Sequence, residues 1–130
     1  MHIEVTRMFK LLPHLRLILK IFFGFLMIMA GLMHFIKPQM YFPFIPDFLP
    51  KYAVVYVSGF IEFALGAMLF YKPTNRIATL GILLLMIAFL PLHFLDMFKS
   101  NPAMGSHLLA MIRFPVQLLL IWMALVLNRK

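Results

Sequence analysis

The sequence contains no cysteine. That excludes a disulfide scaffold, a thiolate metal centre and thiol chemistry on the protein's own side chains. Charge is scarce as well, with charged residues making up only 12%. Soluble domains carry about a quarter, and a small globule needs many polar groups to cover its large relative surface. A water-soluble globule is therefore excluded. Disorder is excluded too, because it requires low hydrophobicity. The scarcest residues are acids, with 4 Asp+Glu against 12 Lys+Arg, a net charge of +8. What is abundant is apolar: 64% of the 130 residues are hydrophobic, and mean hydropathy is +0.97. This composition predicts one integral membrane domain over residues 1–130. In a soluble chain +8 would suggest nucleic acid. Here no nucleic-acid partner is expected, and the excess is read as basic flanks facing anionic lipid.

Four apolar runs stand out, at residues 17–36, 52–71, 77–98 and 108–127. Each is close to the roughly 20 residues that a helix needs to cross the hydrocarbon layer. None has the period-two alternation of a membrane β-strand. The predicted fold is all-α, a bundle of four transmembrane helices, since backbone in lipid must satisfy its own hydrogen bonds. Residues 37–51 hold Pro38, Pro43, Pro46 and Pro50 among aromatic residues. This is the expected Pro-rich interfacial loop between helices 1 and 2, folded back over the bundle rather than helical throughout. Residues 72–76 and 99–107 read as short links. The first 16 residues predict a short amphipathic surface helix interrupted at Pro13. Run one lacks an A-x-A cleavage site and reads as an uncleaved signal anchor.

The basic residues predict topology. With the N-terminus inside, Arg7, Lys10, Arg16, Lys20, Lys72, Arg76, Arg129 and Lys130 are cytoplasmic, while Lys37, Lys51, Lys99 and Arg113 are outside. The positive-inside rule then favours the inner (plasma) membrane with both termini cytoplasmic.

Polar groups within the runs carry the functional signal, because each is costly in lipid. They are His34, Glu62, His93, Asp96, Arg113 and Gln117. At 1.5 Å per residue, Glu62 and Gln117 lie roughly 14–15 Å from the outer helix ends, and His34, His93 and Arg113 lie nearer to them. All six fall in the outer half. Gly59, Glu62 and Gly66 share one face of helix 2, and Gly24, Met27, Gly31 and His34 share one face of helix 1. Small residues in such stripes admit a close neighbouring helix. Ala110, Arg113, Gln117 and Ala124 share a face of helix 4. Pro91 and Pro115 free carbonyls near Ile87 and Met111, which then need other partners.

Glu62 has three readings at this level. It is a structural ion partner of Arg113 joining helices 2 and 4, a binding or proton-transfer group, or a lipid-facing, protonated carboxyl. His34 and His93 are either interfacial hydrogen-bonders or ligand contacts. Asp96, near a helix end, is read as solvated or paired locally. Gln117 is either a helix–helix donor or a ligand contact. No HxxxH or ExxH pair occurs, so no metal centre is expected. Serine-hydrolase, phosphate-loop and dinucleotide signatures are absent. Polar groups that stop halfway across the membrane do not line a channel. They suit a pocket for an apolar molecule with a polar head, such as a quinone. The expected ligand-binding set is His34, Glu62, His93, Arg113 and Gln117. Gly31, Gly59, Gly66, Pro91 and Pro115 are the expected helix-contact residues.

The stretches AGLMHFIKPQMYFPFIPDFLP (30–50), VSGFIEFALG (57–66), PTNRIATLG (73–81) and RFPVQLLLIWMA (113–124) occur in an order that resembles the DoxX-like family of small four-helix membrane proteins. The likeness covers roughly residues 20–125. It places His34, Pro38, Pro46, Pro50, Ser58, Gly59, Glu62, Gly66, Pro73, Arg76, Pro91, Arg113 and Gln117 on matching positions. Around Pro91 relatives often read Phe-Pro-Ala-Asn, whereas this chain has His93 in place of that amide. The resemblance implies subunits of quinone-linked oxidoreductases, redox-stress complexes or assembly chaperones. The resulting expectation is a redox accessory subunit binding a quinone-like lipophile in the outer half of the bundle. The alternatives are a non-enzymatic partner that assembles or stabilises another membrane protein (or a homo-oligomer), and a lipid isomerase-like enzyme using Glu62 and His34.

Overall fold

A computed structural model describes residues 2–128, without the side chains of residues 3, 5, 6 and 8–12. Four long helices dominate: α1 (His2–Ile36), α2 (Lys51–Leu69), α3 (Asn75–Asp96) and α4 (His107–Asn128). Short 3-10 helices at Pro38–Phe44 and Lys72–Thr74 link the first three, and no strand occurs among the described residues. Each long helix contains a stretch apolar enough to cross a membrane, and 28% of each such stretch is buried. The rest of that apolar surface faces outward, which suits lipid and not water. The fold is the expected all-α four-helix bundle of a multi-pass membrane protein.

One expectation fails. The chain does not break at Pro13, and α1 is continuous for 35 residues. Proline removes one backbone hydrogen bond and crowds the preceding turn, but the helix-forming residues on either side carry the geometry across. At 1.5 Å per residue α1 is about 52 Å long, some 20 Å more than the hydrocarbon layer. Of the expected cytoplasmic cations, Arg129 and Lys130 lie outside the described residues, as does the Lys10 side chain.

The helices associate as two antiparallel pairs. In the first, Gly31 of α1 faces Gly59 of α2, and Gly24 faces Gly66. A methyl group on Gly31 would lie 2.6 Å from the Gly59 carbonyl oxygen, and one on Gly66 would lie 2.9 Å from that of Gly24. Only glycine permits backbones this close. In the second pair, Gln117 of α4 donates its amide to the Met86 carbonyl of α3 at 2.6 Å. That acceptor is one residue from the carbonyl expected to be freed by Pro91. Between the pairs, Thr74 Oγ1 donates to the Met68 carbonyl (2.9 Å) and Asn75 Nδ2 to that of Leu69 (2.8 Å). Both reach carbonyls in the last turn of α2, where i+4 partners run out, which makes the α2–α3 turn tight.

The two ends of the bundle differ. Toward the α2–α3 turn, the turn end, the interior is filled by Leu19, Phe23, Met27, Leu69, Ala78, Ile82, Leu120 and Ala124. The other end carries the Pro38–Phe44 strap and the α3–α4 loop. Its buried residues include His34, Glu62 and Asp96.

Candidate functional site

A cavity of about 290 Å³ opens at the strap end, in the seam between the two helix pairs. His34 (α1), Glu62 (α2), His93 (α3) and Arg113 (α4) all line it, together with Ser58, Tyr41, Phe44, Phe89, Leu92 and Met104. Each of the four helices thus contributes at least one polar side chain. Gln117, the fifth residue of the expected set, stands apart. It is fully buried against Met86 and does not line the cavity.

His34 is the best-defined group. Its Nδ1–H donates to the Ala30 carbonyl one turn earlier at 2.6 Å, which fixes the ring on α1. Glu62 Oε2 lies 3.4 Å from the same nitrogen. A single N–H does not serve two acceptors well, and the shorter contact takes it. Glu62 Oε2 is accordingly left without a hydrogen-bond partner. Tyr41 stacks on His34, with ring centroids 3.7 Å apart and planes tilted by 14°. Burial pushes the Tyr41 phenol above its ordinary range, and the Glu62 charge adds to this. The phenol therefore stays protonated and able to donate.

The α3–α4 wall carries a guanidinium and an imidazole. Arg113 Nη1 and His93 Nδ1 are buried and have no hydrogen-bond partner. Among the described residues no ion pair joins Glu62 to Arg113, so the structural-pair reading of Glu62 finds no contact here. Phe44 sets its edge against His93 at 5.5 Å. Buried polar atoms nearly always find partners in folded proteins. Three orphans facing one space, Glu62 Oε2, His93 Nδ1 and Arg113 Nη1, mark that space as built for something polar.

Asp96 is fully buried but is not part of this wall. It accepts the backbone N–H groups of Ala103 (2.6 Å) and Met104 (3.1 Å), closing the α3–α4 loop. Its pairing is local, one of the two outcomes expected from its place at a helix end. Gly105, at φ +97°, completes the turn, and Lys99 Nζ ties the loop to the Pro43 carbonyl at 3.2 Å. Asp96→Ala is expected to lower stability by about 1–3 kcal/mol, because two N–H groups lose their acceptor, while Asp96→Asn keeps one acceptor and loses less. Thermal unfolding in detergent, compared across the three proteins, checks this.

Sequence reasoning missed Tyr41, Phe44 and Met104, which reach the cavity from the strap and the α3–α4 loop. Ser58 carried a usable signal. It lies four residues before Glu62, on the same face of α2.

The fold and the site define a multi-pass helical membrane protein with a mostly apolar cavity at one end of the bundle, into which a few polar side chains project. The chain belongs to the family described as a domain of unknown function (DUF8561), whose model matches residues 23–128. No curated protein and no solved structure matches the chain.

Proposed function

We propose that the protein is a DoxX-like redox accessory subunit, one integral membrane domain over residues 1–130, that holds a quinone-like lipophile in the strap-end cavity. The observation that carries this reading is the set of three unpartnered polar atoms facing a mostly apolar space. A planar ring with an oxygen at either end suits such a space. Arg113 and His93 would donate to one oxygen and the Tyr41 hydroxyl to the other, and Glu62 would accept the O–H of the reduced, quinol form. Phe44, Phe89 and Leu92 would hold the ring. Gln117 supports the site from behind, by keeping α3 and α4 in register.

The test is mass spectrometry of the protein purified from its membrane. A quinone near one per chain is expected. Phospholipid as the sole co-purified lipophile would overturn the reading and favour an assembly partner.

The basic residues support a topology with both termini in the cytoplasm and the cavity in the outer half of the plasma membrane. A reporter that works only inside the cell is expected to be active when fused to the C-terminus. Activity from an outside-only reporter would reverse the orientation.

A further inference from the structure

A second cleft, of about 400 Å³, lies at the turn end, beyond the packed apolar core from the first cavity. Arg16 and Lys20 reach it from α1, and Arg76 from the first turn of α3. Arg16 and Lys20 are one turn apart on the same face, where like charges repel. Both are half-buried, so water screens them incompletely. Among the described residues none of the three cationic groups has an ion-pair partner. Among the described residues no acidic side chain is positioned to supply one. Asp47, Glu62 and Asp96 belong to the strap end, and Glu4 is about 18 Å along α1 from Arg16. The lining is otherwise mixed: Asn75 and Thr79 are polar, Leu17 and Leu127 apolar.

We propose that this cleft binds the phosphate headgroup of an anionic phospholipid. Arg16, Lys20 and Arg76 hold the phosphate, and Leu17 and Leu127 receive the first carbons of the acyl chains. Phosphate chemistry follows from three uncompensated cations converging on one cleft, two of them guanidinium groups whose paired N–H donors match phosphate oxygens. The lipid source follows from position. Arg16 and Arg76 each lie within about a turn of the start of an apolar span, at Pro13–Ile36 and Lys72–Asp96. That is headgroup level, where basic pockets between membrane helices take anionic lipids. A free phosphate ion would make no use of the two leucines.

The experiment is native mass spectrometry of the purified full chain in detergent supplied with phosphatidylglycerol or phosphatidylcholine. The unaltered chain is expected to retain phosphatidylglycerol preferentially. The R16Q/K20Q/R76Q variant is expected to lose that preference, by roughly fivefold per cation removed. The K37Q/K51Q/K99Q variant, with the same charge change at the strap end, is expected to keep it. Equal loss in both triple variants would overturn the proposal, because net charge alone would then explain the preference. Release of phosphatidylglycerol by millimolar inorganic phosphate would overturn the lipid assignment in favour of a free anion. If circular dichroism finds the first triple variant unfolded, R76Q alone decides, because Arg76 is exposed. Its expected loss is roughly fivefold, and an unchanged preference overturns the proposal.

Discussion

Gly31→Ala is expected to lower stability by about 1–3 kcal/mol, the usual cost of forcing extra volume into a tightly packed contact. The new methyl group would lie 2.6 Å from the Gly59 carbonyl oxygen and 2.7 Å from the Phe63 nitrogen. Both are backbone atoms, so no side chain can turn aside, and α1 and α2 must separate. Separation would also disturb His34, because a methyl group on Gly59 would come within 2.5 Å of its Cβ. Gly81→Ala is the control. There the nearest atom is the tip of the Leu65 side chain, which can change rotamer, so a change within about 0.5 kcal/mol is expected. Thermal unfolding of both variants in one detergent gives the comparison. Equal losses would mean that close α1–α2 approach does not govern stability.

Glu62→Gln is expected to leave the fold intact while reducing co-purified quinone about tenfold to a hundredfold. That range corresponds to losing one hydrogen bond from the O–H of the reduced, quinol form to the Glu62 carboxylate, about 1.5–3 kcal/mol. The fold should survive because Glu62 has no cationic partner to abandon. Arg113 is not paired with it, and the His34 N–H is engaged by the Ala30 carbonyl. The substitution is nearly isosteric, so the buried space that Glu62 fills on α2 stays filled. Quinone per chain and the unfolding temperature should be read on the same preparation. Loss of both together would return Glu62 to a purely structural role.

The four spans were legible in the sequence because lipid imposes a local rule, about 20 apolar residues in a row. Confinement of His34, Glu62, His93 and Arg113 to one half was legible too, since depth follows directly from position along a helix. The Gly31–Gly59 contact was half legible. Each stripe was visible on its own helix, but the matching between stripes was not. The continuity of α1 through Pro13 was misjudged, because one lost hydrogen bond does not end a helix whose flanks favour it. Partner choice was hidden altogether. Gln117 reaches Met86 across 31 positions, and Tyr41 stacks on His34 only because the strap doubles back. Such pairings depend on distances between helices, which periodicity within one helix does not encode.

The division into two helix pairs also bears on how the molecule comes to exist. The Gly31–Gly59 and Gly24–Gly66 contacts belong wholly to residues 24–66, and the Asp96 and Gln117 bonds wholly to residues 86–117. Each hairpin therefore carries helix–helix contacts that do not depend on the other. The apolar core and the cavity require both, because Leu19, Phe23, Met27 and Leu69 pack with Ala78, Ile82, Leu120 and Ala124. The cavity's carboxylate belongs to the first hairpin and its guanidinium to the second, so the two groups share one space only once the hairpins have docked.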